Sequence, residues 1–192
     1  MKYLNHFLFF LLTIYSCNFY LDTRKITQIN YGKEVDIIAK EFDLPTHYLK
    51  ALIILECSGR KKIKPRFEKH VYKRLDLVRK GGREQYEGIT KKNISDASDE
   101  ALINLSSSWG PFQLMGYKCL HLNINISDIR GDSSVYWGIK WIDEEYGDRL
   151  RKGEYENCFR IHNTGRSNGK THDPDYVSNG LSHINYFKLN EK

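Results

Sequence analysis

The feature that most constrains this chain is a helix with almost no polar face. Asp43 stands where it can cap a helix, and Pro45 sits near the first turn, where its missing N–H is no loss. Tyr48, Leu49, Leu52, Ile53 and Leu55 then surround the helix with apolar side chains, and Gly59 is a natural stop. Such a helix is stable only when wrapped on every side. With 192 residues, 40% hydrophobic and 28% charged, the chain has enough material for one domain with a real core. The helix closes on a carboxylate, Glu56, directly after the run Ala51 to Leu55. An ionisable group in that position calls for a use.

The wrapping elements are partly readable. Val35, Ile38, Ala39 and Phe42 share one face, predicting a helix over Tyr31 to Phe42. Residues 60 to 105 read as irregular, with a strand at RFEKHVY (66–72), a Gly pair at Gly81 and Gly82, and a polar stretch KKNISDASDE. In SSSWGPFQLMG (106–116), the breakers Gly110, Pro111 and Gly116 surround Phe112, Leu114 and Met115. Three further helices are predicted, over Ser134 to Tyr146, Glu154 to His162, and Asp175 to Lys188 after Pro174. There is no internal repeat and no low-complexity linker. The class is mostly α (α+β), with a small irregular or β lobe inserted after the second helix.

The first 17 residues stand apart. Lys2 gives a positive end, and Phe7 to Ile14 is an apolar run too short to span a bilayer, so residues 1–17 read as an export signal. The run ends in IYSC, Ile14 to Cys17, which resembles a bacterial lipoprotein processing site. Lipidation of Cys17 with membrane attachment, or secretion after cleavage near Ser16, both follow from this pattern. Residues 18–192 form the folded domain. The four Cys (Cys17, Cys57, Cys119, Cys158) match no zinc spacing and imply no disulfide framework, and Cys57 and Cys158 read as small apolar core residues.

The formal charge of +6 and the cluster from Gly59 to Arg74 make the protein basic. An exported basic chain meets anionic surfaces such as a bacterial wall, and export argues against nucleic acid as partner. A solvated basic face explains the same charge. The His residues are scattered and form no H-E-x-x-H, so neither metal nor cofactor is predicted. No Ser or Cys nucleophile has a recognisable partner.

Glu56 carries the chemistry. Apolar neighbours remove water from it and the negative end of its helix lies beside it, which predicts a raised pKa. A carboxylic acid still protonated near neutral pH is what a glycosidase needs in order to protonate a leaving oxygen. Context strengthens this. LECSG is followed by SSSWGPFQLMG about fifty residues on, and by CFRIHNTG another fifty on. With FEKH at Phe67 to His70, this order resembles the lysozyme-like superfamily, closest to the N-acetylmuramidase family, with goose-type lysozymes and soluble lytic transglycosylases further off. The likeness covers roughly residues 43–187; His162 stands where the family usually has Tyr, and Cys57 where Ser is commoner.

The resemblance implies a lysozyme-like fold and a peptidoglycan hydrolase acting between N-acetylmuramic acid and N-acetylglucosamine, with glycan strands as partners and a monomeric enzyme. Glu56 becomes the general acid. Gln113 and Asn163 become donors to saccharide groups, Trp109 a wall for a sugar ring or a plain core residue, and Ser108 a substrate contact or a turn-forming hydroxyl. Tyr176 matches a Tyr that points toward the acid in lytic transglycosylases. Glu68, among Arg66, Lys69 and Arg74, is the second carboxylate or an ion-pair residue, and His70 reads as structural. A lytic transglycosylase would work with one carboxylate, and a wall-binding lipoprotein on the same scaffold would need none.

Overall fold

The computed structural model describes residues 22–190. The stretch read as an export signal, residues 1–17 with Cys17, lies outside the described residues. Helix dominates, with a small antiparallel sheet, as the mostly α (α+β) reading expects.

The chain opens with α1 (Thr23–Thr27), a π-helical turn (Gln28–Gly32) and α2 (Lys33–Glu41), and then enters α3 (Thr46–Cys57). Helix α3 is the apolar one. Tyr48, Leu49, Ala51, Leu52 and Ile53 are wholly buried, each large side chain contributing about 1.5–3 kcal/mol. Lys50, also buried, is held by Asp36 of α2 at 2.7 Å. The helix start differs from expectation: Asp43 adopts a left-handed conformation, and Pro45, which has no side-chain acceptor, occupies the cap position. The stop is as expected. Ser58 and Gly59 both take positive φ, and a Cβ on Gly59 would overlap Thr27 of α1.

The stretch read as irregular contains more helix than predicted. Only Arg66–Phe67 is strand (β1), and the rest of RFEKHVY enters α4 (Lys69–Lys80). Val71, Leu75 and Val78 are the buried positions of α4, a stripe of spacing four and three among eight charged or polar residues. The hairpin β2 (Gln85–Tyr86) and β3 (Ile89–Thr90) follows, turning on Glu87 and Gly88, both at positive φ. After α5 (Lys91–Ile94), Ser98 caps α6 (Asp99–Leu105) through the Ala101 N–H at 3.1 Å.

Strand β4 (Ser107–Trp109) sits between β1 and β5 (Leu114–Met115), with Arg66 opposite Ser108 and Trp109 opposite Leu114. Short helices α7 (Lys118–His121) and α8 (Ile126–Arg130) lead to α9 (Ser134–Arg151), which runs past the predicted end through a kink at Tyr146. Then come α10 (Tyr155–Thr164) and α11 (Tyr176–Asn190), the latter lying along α3. Gly138 of α9 lets the Phe112 ring pack directly onto the helix backbone, where a Cβ would overlap it.

Candidate active site

Four segments converge on a cleft of about 480 Å³: the end of α3, the β1–α4 junction, the β4–β5 turn and the end of α10. Glu56, Glu68, Gln113 and Asn163 all line it. The Glu56 side chain is 16% exposed. Tyr176, the first residue of α11 and itself buried, donates its hydroxyl hydrogen to Glu56 Oε1. Burial first, and then the facing carboxylate, hold the Tyr176 phenol well above its ordinary range, so it serves as a donor.

Behind Glu56 lies a buried histidine. His162 Nε2 is 3.9 Å from Glu56 Oε1 and 3.0 Å from the Phe112 carbonyl. A carbonyl only accepts, so Nε2 carries the hydrogen and Nδ1 receives the Tyr146 hydroxyl at 2.9 Å. Burial pulls the His162 pKa down, against the opposing influence of Glu56 and the Phe112 bond, and the ring is neutral. Tyr146, His162 and the Phe112 carbonyl together form one hydrogen-bonded strut.

Glu68 is 24% exposed and bonded to Arg66 at 2.7 Å, with His70 Nδ1 3.5 Å from its other oxygen. Of its expected basic neighbours, Arg74 instead lies over the Tyr86 ring. Gln113 takes a left-handed backbone and has its side chain engaged: it accepts from Ser108 Oγ at 2.8 Å and donates to the Gly110 carbonyl at 3.1 Å. One amide hydrogen remains for a ligand.

Two expected contacts lie elsewhere. Ser108 is 1% exposed and acts through Gln113, so it shapes the turn and does not meet a substrate. Trp109, the next residue on the same strand, faces away from Ser108 and lines a neighbouring cavity; its Nε1 donates to the Asn104 carbonyl at 2.9 Å. The structure adds Trp141, Glu145 and Lys118 to the cleft. Lys118 lies 5.1 Å over the Trp141 ring, and burial lowers its pKa. Trp141 and Glu145 stand one helical turn apart, the one sequence signal that they share a face.

Cys57, Cys119 and Cys158 are free thiols. Burial pushes Cys57 and Cys119 up to about 11 and Cys158 up to about 12, so all three are protonated at neutral pH. Compared with known protein families, curated proteins and solved structures, the chain matches none.

Proposed function

We propose that this chain is a peptidoglycan-cleaving enzyme of the lysozyme-like superfamily, an N-acetylmuramidase with Glu56 as general acid. The observation that supports the reading best is the position of Glu56: at the end of a buried helix, on a cleft shared with Glu68, Gln113 and Asn163. In the reaction Glu56 gives its proton to the glycosidic oxygen as the bond to the anomeric carbon breaks. Glu68, paired with Arg66, supplies the negative charge that balances the oxocarbenium-like transition state or activates the attacking water. Tyr176 holds the Glu56 carboxyl in one orientation, and Asn163 and the free Gln113 hydrogen orient the sugar.

One observation favours a second reading. The Tyr176 to Glu56 hydrogen bond is the pairing that resemblance to lytic transglycosylases implies, and such an enzyme closes a 1,6-anhydro ring without a second carboxylate. Mass spectrometry of muropeptides released from sacculi separates the two, because the anhydro product lacks one water. Reducing N-acetylmuramic acid ends support hydrolysis; anhydro ends, with Glu68→Gln still active, support transglycosylation. Sacculi that bind the protein but remain intact would leave a wall-binding lipoprotein.

Export belongs to the same proposal. If Cys17 is acylated, the full-length protein sediments with membranes in a bacterial host and Cys17→Ser moves it to the soluble periplasmic fraction. A soluble parent without lipid would leave secretion as the route.

A further inference from the structure

On the other side of the β4–β5 turn is a second cavity, of about 640 Å³, within the size range of sites that hold a small ligand. Two cations, Lys61 and Arg130, and two carboxylates, Glu34 and Asp132, line it together with the aromatic rings of Tyr31 and Trp109. None of these four charges makes an ion pair with a described residue. Elsewhere on the surface some neighbouring opposite charges do close up: Arg79 on Asp76 and Asp99 at 2.6 and 2.7 Å, Arg149 on Glu154 at 2.6 Å, Lys140 on Glu144 at 2.8 Å.

Each cation stands over an aromatic ring. Arg130 stacks 4.4 Å over Trp109, and the Lys61 ammonium sits 5.6 Å from the Tyr31 centroid. Burial raises the Glu34 pKa; Lys61 works against this and Asp132 adds to it, so Glu34 feels both groups from its side of the cavity. Two separated pairs of opposite charge in one hollow are complementary to a ligand that carries both an ammonium and a carboxylate.

The cavity is joined rigidly to the cleft. Trp109, Gly110 and Pro111 wall the cavity, while Gln113, Leu114 and Met115 wall the cleft, and the turn between is pinned by the Gln113 N–H on the Gly110 carbonyl at 3.1 Å. On the opposite side the Tyr31 hydroxyl donates to the Arg60 carbonyl at 2.7 Å and Asn30 to the Gly59 carbonyl at 2.8 Å, tying the π-helical turn to the loop that leaves Glu56. The cavity and the cleft thus stand on the two sides of one turn.

We propose that this cavity is a subsite for the peptide stem of peptidoglycan, taking a zwitterionic amino-acid group with its ammonium between Glu34 and Asp132 and its carboxylate at Lys61 and Arg130. The assignment rests on the glycan-cleaving reading of the neighbouring cleft. It makes peptide-bearing strands, and not denuded glycan, the preferred substrate.

Binding is tested apart from cleavage. The probe is the free tetrapeptide stem of peptidoglycan, which carries amines and carboxylates, titrated into the full chain at low salt by calorimetry and followed by amide shifts in NMR. Saturable binding with Kd of about 1 mM or tighter is expected. Asp132→Asn and Lys61→Ala, both at exposed positions that leave the core intact, should each weaken it about threefold or more. Acetylating the ligand amines should cost the parent more than Asp132→Asn does, and should cost the Asp132→Asn variant, where Glu34 alone faces the ammonium, less than it costs the parent, the coupling that places ammonium against carboxylate. Absence of saturation at about 20 mM, or binding indifferent to acetylation and to both substitutions, overturns the subsite. If the peptide binds as described while sacculi stay intact, the subsite stands and the cleavage reading fails. If sacculi are cut and the peptide does not bind, only the subsite fails.

Discussion

Replacing His162 by Phe removes both ring nitrogens while keeping a flat ring of similar size in the site. In the parent, Nε2–H is bonded to the Phe112 carbonyl and Nδ1 to the Tyr146 hydroxyl, and both partners belong to residues no more than 3% exposed. Each buried polar group left without a partner costs about 1–3 kcal/mol, so the two together should cost about 2–6 kcal/mol at pH 8. For a chain of this length, at about 2–4 °C per kcal/mol, that corresponds to a fall in Tm of roughly 4–24 °C. The pH dependence sharpens the test. Burial lowers the His162 pKa in the folded state, so below the unfolded value near 6.5 the unfolded chain binds a proton that the folded chain resists. The stabilising contribution is therefore complete above about pH 6.5 and is lost as pH falls through and below it, with a slope approaching about 1.4 kcal/mol per pH unit. His121 and His183 are shifted in the same direction, but they are common to both proteins and cancel in the difference. Denaturant unfolding of parent and variant from pH 8 to pH 5 should show the gap between them narrowing on acidification. A gap that stays constant with pH, or a variant as stable as the parent at pH 8, would refute a neutral, doubly bonded His162.

Tyr176→Phe removes the donor to Glu56; because Glu56 is partly exposed and water can replace the hydroxyl, the loss should be about 1–2 kcal/mol, with kcat on sacculi reduced about tenfold or more. Unchanged melting and unchanged turnover would remove Tyr176 from the site. Gly138→Ala puts a methyl group into the Phe112 ring and should cost about 1–3 kcal/mol through overpacking, read as a lower denaturation midpoint at unchanged m-value. A midpoint equal to the parent's would mean that the Phe112 ring moves aside freely.

The parts of the fold legible in the sequence are those where one residue type dominates a face. Helix α3 shows itself because apolar side chains surround it, and its end because Gly59 alone fits against Thr27. Helix α4 was hidden: its three buried positions are diluted by charged neighbours, and its first residues follow a genuine, two-residue strand. The site divides similarly. Glu56 is conspicuous as the one acid closing an apolar run, and Gln113, Asn163 and Glu68 were reached through motif resemblance. Ser108 reads as a substrate contact or a turn-forming hydroxyl and Trp109 as a sugar wall or a core residue; adjacent residues on a strand face opposite ways, and β4 sends one behind Gln113 and the other to the second cavity. The His162 strut depends on Tyr146, sixteen residues away on the preceding helix, and Lys118, Trp141 and Glu145 come together only through packing. No spacing rule brings such residues onto one surface.

Proton donation by Glu56 at a glycan-cleaving site is measured directly by release of soluble muropeptides from purified sacculi by protein lacking residues 1–17. The parent should solubilise the wall, and Glu56→Gln, which keeps the shape but cannot give up the same proton, should be slower by about a thousandfold while remaining folded. A Glu56→Gln protein that digests sacculi as fast as the parent would contradict the account.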